Sequence, residues 1–434
     1  MLKSLRLTNV GPAKLEGPIE FGSRLNLVTG DNGLGKSFLL DIAWWALTRK
    51  WPMEVNPKLS SGAIARPVAK GSRAEIGFTL SSETRAELAY TGRYDREEAA
   101  WTGKAGRPPN PGLVLYAQAD GSFAVWDPAR NYWKKKGAVD IQERQPAYVF
   151  SAAEVWDGLP GYAGRPPQCN GLISDWAGWQ KENGEAFATL CRVLQVLSPS
   201  KAEVLKPGGL TRITIDDSRD MPTITMPYGQ DVPIVHASAG IRRIVALAYL
   251  LVWSWQEHKL ASELLGKPTT HQAVFLVDEI EAHLHPRWQR RIISALLEVA
   301  DSLTDRAEVQ LITATHSPLV MASVEPHFQD GLDCWFDMDL NFVDGVPEVL
   351  LQKRPFLRCG DASHWLTSDA FDLPSARSLE AEEVLEQATQ ALSSSNFSEH
   401  NARQLDHQLR GVLGDTDPFW LRWRFFVEKQ GWQL

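Results

Sequence analysis

An eight-residue segment near the N-terminus, GDNGLGKS at residues 30–37, constrains the fold of this chain more than any other part of its sequence. It matches the pattern G-x-x-x-x-G-K-[ST] and lies between the apolar segment RLNLVTG, which predicts a buried strand, and a helical pattern from Lys36 to about Lys50. Glycines let the backbone curl into a nest of N–H groups around a phosphate, and the helix N-terminus adds its positive end. The sequence therefore predicts a phosphate-binding loop made of Gly30, Asp31, Asn32, Gly33, Leu34, Gly35, Lys36 and Ser37.

The end of this loop and two later carboxylates carry the expected chemistry. The Lys36 ammonium would reach the β- and γ-phosphates of ATP, and the Ser37 hydroxyl would bind Mg²⁺. Further along, AVFLVDE at residues 273–279 predicts a strand buried in a parallel sheet and followed by two acids. We expect Asp278 to hold the Mg²⁺ and its water shell, and Glu279 to orient and deprotonate an attacking water.

A histidine after the next apolar strand is a further candidate. EVQLITATHSP, residues 308–318, predicts a second buried strand that ends in a polar loop carrying His316. One helical pattern separates this strand from the one before Asp278, which is the order of a doubly wound α/β sheet. We expect His316 to donate a hydrogen bond to the γ-phosphate and to sense its loss.

The segment HASAGIRR, residues 236–243, leads into the longest apolar run of the chain, Ile244–Trp255. A bilayer needs about 20 apolar residues, so this run predicts a buried helix rather than a membrane span. Ser238 lies where an N-cap belongs, and Gly240 keeps the first turn open, so that N–H groups and a hydroxyl could face an anion. A capped core helix explains the apolar run but not the small-residue turn followed by two arginines.

The four motifs, in this order, resemble those of the ABC-type ATPase heads of the SMC/RecF/OLD group. NLVTGDNGLGKS is similar to the phosphate loop of that group, and DEIEAHLHP to its OLD-like branch. The resemblance implies an α/β P-loop NTPase fold of the ABC type and a head-to-head homodimer that encloses two ATP molecules. Ser238, Ala239 and Gly240 of one subunit would then complete the site of the other.

The positions of the motifs predict the organisation of the chain. Residues 1–50 and 232–330 would form the ATPase head, which begins with a lobe of antiparallel strands. Residues 51–231 would form a compact insert of strands and helices, and residues 331–434 a small, mostly helical region that contacts a partner. The Q-loop glutamine of this family has no clear match; Gln118 is the candidate because it follows a predicted strand.

The resemblance also implies a function: Mg²⁺-dependent ATP hydrolysis that switches an attached or partner activity. The resemblance to the OLD-like branch implies a role in bacterial genome defence or DNA repair, with a separately encoded nuclease or toxin as the effector. DNA is a further candidate partner, and oligomers larger than the dimer are compatible with this resemblance. The turn SAGIRR, in place of the transporter-type LSGGQ, argues against a transporter subunit. The absence of a long heptad pattern argues against tethering of DNA by coiled-coil arms.

Composition limits the partners and the compartment. The net charge of −8 argues against a surface coated in basic residues for non-specific nucleic-acid binding, although it leaves room for a local basic groove. The N-terminal residues lack an apolar core of signal-peptide length, so export is not expected. The four cysteines have no C-x-x-C spacing, and a reducing cytoplasm fits them best.

Two other functions remain open. Asp337 and Asp339 form a D-x-D pair of the type that holds catalytic Mg²⁺, which would make the chain a self-contained nuclease under ATPase control. A strand with solvated alternate positions explains this pair better, since no earlier strand ends in a suitable glutamate. The chain could also be a scaffold that binds ATP without hydrolysing it and holds a nuclease or toxin.

Three further residue groups have simpler explanations than the site they suggest. His283 and His285 with Glu281 could indicate a zinc pair, but the segment from Asp278 to Pro286 has a role beside the neighbouring nucleotide in the resembled family. The basic and aromatic residues 132–136 could bind nucleic acid, but a solvated loop is the commoner explanation. The aromatic residues near the C-terminus predict a core or a protein interface; they are Trp420, Trp423, Phe425 and Phe426.

Overall fold

The structure is a computed structural model of the chain. It describes residues 1–434 except 16, 83, 85, 104–108, 132–144, 162–165, 304–306, 394–396 and 434. The predicted basic and aromatic patch at 132–136 therefore lies outside the described residues. The chain divides into two compact units, Met1–Gly360 and Asp361–Leu434.

Strands and helices of the first unit follow the predicted α/β pattern. The strands are β1 Leu2–Thr8, β2 Ala13–Lys14, β3 Ile19–Glu20, β4 Leu25–Gly30, β5 Glu75–Ser81, β6 Glu87–Asp95, β7 Ala100–Thr102, β8 Leu113–Ala117, β9 Phe123–Trp126, β10 Tyr148–Phe150, β11 Lys206–Pro207, β12 Thr223–Thr225, β13 Asp231–Pro233, β14 Gln272–Val277, β15 Glu308–Ala314, β16 Cys334–Val343 and β17 Val346–Arg354. The helices are α1 Lys36–Thr48, α2 Pro52–Val55, α3 Ala152–Asp157, α4 Gly171–Glu182, α5 Glu185–Val196, α6 Ala239–Leu264, α7 Pro286–Gln289, α8 Ile292–Leu303 and α9 Pro318–Val324.

The central sheet brings the predicted motifs together. Its strand order is β10-β9-β8-β14-β15-β4-β16-β17-β2, and the five strands from β8 to β16 in this order are parallel. Their carboxyl ends therefore lie at one edge of the sheet. The phosphate loop follows β4, the two predicted acids follow β14, the loop of His316 follows β15, and Gln118 follows β8. Ligands of open α/β sheets bind at this edge.

A second, antiparallel sheet lies on the other side of α1. Its strand order is β3-β1-β5-β6-β7, which matches the predicted lobe of antiparallel strands at the N-terminus. Helix α1 contacts strands of both sheets, and its residues from Leu39 to Thr48 are all buried. The helix that begins at the phosphate loop is therefore held on two sides, which fixes the direction of its N-terminus.

Strand pairing crosses the boundaries drawn from the motifs. In the predicted insert 51–231, β5 pairs with β1, β6 pairs with β5 and β7 pairs with β6, while β8 pairs with β14. Strands β16 and β17, from the predicted C-terminal region 331–434, extend the central sheet beside β4. Strands outside the predicted ATPase head thus share sheets with strands inside it. This pairing satisfies the backbone hydrogen bonds of strands that would otherwise end a sheet.

The apolar run Ile244–Trp255 lies inside α6, as predicted. Helix α6 has 26 residues, and most of those in the run are buried in the first unit. Over the described residues, the structure contains no helix with both the length and the hydropathy of a membrane span. The prediction of a buried helix is confirmed.

The second unit consists of helices. They are α10 Ala362–Leu366, α11 Leu379–Ser393, α12 Glu399–Val412 and α13 Phe419–Lys429. Trp420 and Trp423 of α13 pack in the core of this unit, and the Trp423 indole N–H donates to Asp406 (3.0 Å). Phe426 packs at the edge of the same core, whereas Phe425 is exposed. The predicted core role therefore fits the two tryptophans and not Phe425.

One buried side chain joins the central sheet to the antiparallel sheet that contains β1, and we expect its loss to reduce stability. The Gln310 amide of β15 accepts from the Leu2 N–H (2.9 Å) and donates to the carbonyls of Leu2 (2.8 Å) and Gly22 (2.7 Å). Gln310→Met keeps the shape but leaves these buried groups unpaired, so the free energy of unfolding should fall by about 3–5 kcal/mol. The midpoint of urea unfolding measures this, with the exposed Gln329→Met as control. An unchanged midpoint would mean that the sheets do not depend on this bridge.

Candidate nucleotide-binding site

The loop between β4 and α1 has a backbone that only glycine allows at two positions. Gly30 has φ of 132°, and a Cβ there would lie 2.2 Å from the Met338 carbonyl oxygen of the neighbouring strand. Gly35 has φ of 104° and is the N-cap of α1, without a capping side chain. The first N–H groups of α1 are thus left to an external acceptor, which is the arrangement that binds phosphate.

The Lys36 ammonium lies across this loop. Its Nζ donates to the carbonyls of Gly30 and Asp31, both at 2.7 Å. Burial lowers the pKa of Lys36, while the nearby carboxylates of Asp278, Asp31, Glu279 and Glu281 raise it. The ammonium is therefore partly desolvated and is held by carbonyl groups that an incoming phosphate can replace.

Ser37 and Asp278 meet at the carboxyl edge of the sheet. Burial raises the pKa of the Asp278 carboxylate, and the nearby Ser37 side chain opposes this shift. Among the described residues, no group hydrogen-bonds to Asp278 Oδ1, although this atom is buried. A buried carboxylate oxygen without a partner, next to a hydroxyl, is the donor set that Mg²⁺ takes. These two residues fit the predicted Mg²⁺ ligands.

Glu279 and His316 lie near the same ammonium. Glu279 has a left-handed backbone with φ of 44°, a conformation that costs free energy for a non-glycine residue. His316 is half-buried; burial and then the Lys36 charge lower its pKa, against the opposing effect of Glu279 and Asp31. The lowered pKa favours the neutral imidazole, which can donate a single N–H.

Gln118 and Arg243 complete the edge of the sheet. The described residues offer no hydrogen-bond partner to the buried Gln118 Nε2, while its Oε1 accepts from the Ser122 hydroxyl (2.5 Å). The Arg243 guanidinium of α6 donates to the Gln118 carbonyl (2.7 Å) and the Asp278 carbonyl (3.3 Å). Gln118, the candidate for the Q-loop glutamine, thus lies beside Asp278. The contact made by Arg243 is long-range and has no motif that would have indicated it.

The predicted signature residues lie at the start of α6. The Ser238 hydroxyl accepts from the Ile241 N–H (3.4 Å), so Ser238 is the N-cap, and its O–H can still donate. Ser238 and Ala239 are exposed, whereas a Cβ on Gly240 would lie 2.7 Å from the His283 carbonyl oxygen. In the described part of a single chain, no hydrogen bond joins Ser238, Ala239 or Gly240 to the phosphate loop.

The residues suggested for zinc are used otherwise. His285 is the N-cap of α7 and accepts from the Arg287 N–H (3.3 Å), and Glu281 accepts from Thr315 and His316. Over the described residues, the side chains of histidine, cysteine, aspartate and glutamate form no group of three suited to a metal ion. The sequence did not indicate these contacts of Glu281.

The Asp337 carboxylate belongs to the support of the phosphate loop. It is buried in β16, accepts from the Thr29 hydroxyl (2.7 Å) of β4 and lies 3.9 Å from the Arg354 guanidinium. The Trp335 indole N–H donates to the same Thr29 hydroxyl (2.8 Å). These contacts explain Asp337 without a metal, and they tie β16 to the strand that ends at Gly30.

Together, the parallel sheet, the glycine loop at the start of α1 and the acids beside it define a P-loop ATPase domain of the ABC type. Residues 25–322 match the family model described as "AAA domain, putative AbiEii toxin, Type IV TA system". This match spans more than half of the chain, and the chain belongs to that family.

Two curated relatives share part of the chain. The "Retron Vc95 probable ATPase" of Vibrio cholerae serotype O1 biovar El Tor is 28% identical over 142 residues, which cover 33% of this chain and 26% of the relative. The "Retron Ec83 probable ATPase" of Escherichia coli is 26% identical over 168 residues, which cover 38% of this chain and 27% of the relative. The matched part thus spans about a quarter of the length of each relative.

Solved structures with a similar chain path include an SMC head domain from Thermotoga maritima, with a TM-score of 0.37, 16% identity and coverage of 80% of this chain and 98% of that one. The recombination mediator RecF matches with a TM-score of 0.37, 14% identity and coverage of 81% and 98%. At these TM-scores the likeness carries no argument; the class rests on the strand order, the site and the family match.

A buried acid behind the phosphate loop should make stability depend on pH. Asp41 of α1 accepts from the Tyr116 hydroxyl (3.0 Å), and burial raises the pKa of Asp41 to about 7. An unfolded chain releases this proton near pH 4, so the free energy of unfolding should fall between pH 4 and 7 and then level off. Asp41→Asn removes the ionisation, and at pH 8 it should be more stable than the wild type by roughly 2–4 kcal/mol.

Urea unfolding of both chains from pH 4 to pH 8 measures this difference. The exposed Asp369→Asn is the control and should follow the wild type throughout. A difference between Asp41→Asn and wild type that stays constant over this range would contradict the assignment of the pH dependence to Asp41.

Proposed function

We propose that this chain hydrolyses the β–γ bond of ATP in a Mg²⁺-dependent reaction. The observation that carries the proposal is the buried Asp278 Oδ1, which has no hydrogen-bond partner among the described residues and lies close to the Lys36 ammonium and the Ser37 side chain. Burial of such charged groups costs free energy unless a ligand of complementary charge binds to them. A bound Mg²⁺ would neutralise charge on the β- and γ-phosphates.

The residues of the chain have separate tasks in this reaction. The N–H groups of the loop and the Lys36 ammonium hold the phosphates and stabilise the charge that develops on them. Glu279 orients a water and takes its proton as the water oxygen attacks the γ-phosphorus and the bond to the β-phosphate breaks, which yields ADP and phosphate. The neutral His316 donates its N–H to a γ-phosphate oxygen.

The site is proposed to be completed by a second copy of the chain. Ser238 and Ala239 are exposed at a helix N-terminus, and the Ser238 hydroxyl keeps a proton to donate. A helix N-terminus attracts anions, so this surface can close over the γ-phosphate held by another subunit. ATP would then act as the bridge of a homodimer, and its hydrolysis would release the two heads.

A partner activity is proposed to be switched by this dimerisation. The family description names a toxin of a toxin–antitoxin system, and the two relatives are named as retron ATPases. These names support the proposal of a defence role with a separately encoded nuclease or toxin. A role in DNA repair, binding to DNA and assembly into oligomers larger than the dimer are further proposals. The cytoplasm is the proposed compartment; among the described residues the cysteines form no disulfide bond.

The hydrolysis step is tested by two substitutions with different expected results. Lys36→Ala removes the ammonium and should lower ATP turnover by 100-fold or more, the order of magnitude for a lost charge-stabilising donor. Glu279→Gln should abolish turnover but retain ATP binding, because it removes only the base, and a dimer should accumulate. Phosphate release and gel filtration with Mg²⁺-ATP measure both, with the exposed Lys70→Ala as control. Unchanged turnover in both variants would end the ATPase assignment.

Completion of the site by a second copy is tested at Ser238. Ser238→Arg places a bulky cation at the proposed contact, so it should leave the monomer folded and able to bind ATP but stop ATP-dependent dimerisation and turnover. Ser398→Arg is a matched control, because Ser398 is also an exposed N-cap, on α12 of the second unit. Light scattering and nucleotide titration measure dimer and binding. Normal hydrolysis by Ser238→Arg would leave Ser238 as a helix cap and nothing more.

A further inference from the structure

Two loops at the carboxyl edge of the central sheet are bonded to each other through the Glu281 carboxylate. Its Oε2 accepts from the Thr315 hydroxyl (2.7 Å), and its Oε1 accepts from the His316 backbone N–H. Glu281 lies on the segment between β14 and α7, whereas Thr315 and His316 follow β15. The loop that carries the histidine is thus held from the side by a residue of the loop that carries the acids.

The bonds made by Glu281 are of the strong kind. A hydrogen bond to an ionised carboxylate is roughly twice as strong as one between neutral groups. The second acceptor bond fixes the orientation of the carboxylate. Burial raises the pKa of Glu281, while its bonds to His316 and Thr315 lower it, so these two donors stabilise the charged form.

A separate set of bonds holds the rest of the histidine loop. The Thr315 N–H donates to the Val28 carbonyl (3.0 Å) of β4, and the Ser317 hydroxyl donates to Gln289 Oε1 (2.7 Å). The His316 N–H lies between these anchors, and its described acceptor is Glu281. The backbone of His316, and with it the direction of its ring, therefore depends on Glu281.

The ring of His316 faces the groups of the proposed reaction. Its charged neighbours are Lys36, Glu279 and Asp31. Glu281 also lies within electrostatic range of Lys36, but its two carboxylate oxygens are bonded to the histidine loop. Its geometry is that of a support for His316 and not of a second base.

We propose that Glu281 is a positioning residue that holds His316 in place for ATP hydrolysis. The proposal rests on the proposed function, since it assigns His316 a task at the γ-phosphate. Glu281 acts through the His316 backbone and does not touch the nucleotide. A misplacement of about 1 Å in such a donor costs up to about a hundredfold in rate.

The proposal is tested by a cycle of Glu281→Ala, His316→Ala and the double variant, measured as kcat and KM for Mg²⁺-ATP. Glu281→Ala should lower kcat by about 10- to 100-fold, the range for losing a hydrogen bond to a charged group, and leave ATP affinity within about twofold. The double variant should be no slower than His316→Ala, because Glu281 acts through His316. Glu281→Gln, which keeps one acceptor oxygen, should lie between wild type and Glu281→Ala. Effects that multiply in the double variant would overturn the proposal.

A second measurement does not depend on turnover. Amide hydrogen exchange, followed by mass spectrometry of a peptide that contains His316, should quicken at least tenfold in Glu281→Ala. Glu325→Ala is the matched control, because the largely buried Glu325 carboxylate also accepts backbone N–H groups, those of Cys359 and Gly360, away from the site. It should leave this peptide and kcat unchanged.

The two measurements separate the proposals. If exchange is faster in Glu281→Ala but the wild-type chain does not hydrolyse ATP, the proposed function fails and Glu281 remains the support of the loop. Unchanged exchange in Glu281→Ala, or faster exchange with unchanged kcat in an active enzyme, would overturn the positioning role.

Discussion

The parallel pairing of β4, β15, β14 and β8 is the constraint on which the site depends. Parallel strands end at the same edge, so the loops that follow them meet although they lie far apart in the chain. Each loop contributes a different group: a nest of N–H groups with an ammonium, a carboxylate pair, a histidine and a glutamine. The antiparallel lobe and β16 then hold α1 and β4 from both sides, which keeps the phosphate loop in register with the acids.

The second constraint is the partial burial of the charged side chains at the site. Lys36, Asp278 and Glu281 are each desolvated, and each has a pKa that burial shifts toward the neutral form. Opposite charges at close range offset this cost only in part. Within the described part of the chain, Asp278 Oδ1 has no hydrogen-bond partner. A nucleotide with its metal ion would supply the missing charges of both signs.

The sequence predicts the local parts of the site well and the long-range parts poorly. The glycine loop, the strand before Asp278 and the loop of His316 are short patterns whose meaning depends on neighbouring residues alone. The contacts of Arg243 and Glu281 join segments that are 34 or more residues apart, and no local pattern marks them. The D-x-D pair shows the same limit, because the Thr29 hydroxyl that bonds to Asp337 lies more than 300 residues away in the chain.

The fold shows the same division. Helix α6 and the strands β14 and β15 follow from apolar runs and their spacing, whereas the placement of β5–β10 and β16–β17 depends on which strand they pair with. Pairing partners of short strands are chosen by register and burial over the whole domain, which a linear pattern does not contain. The domain boundaries that the motifs suggest, at residues 50, 231 and 330, therefore differ from the limits of the sheets.

Each ATPase site is proposed to combine the phosphate loop of one copy with Ser238 of another. The most direct test is ATP turnover in a mixture of two chains that are each inactive alone. Lys36→Ala and Ser238→Ala are each expected to be defective alone. Mixed dimers have one site with both changes and one intact site, so random exchange of subunits should restore about a quarter of wild-type turnover. Turnover of the mixture equal to the mean of its two components would contradict completion of the site by a second copy.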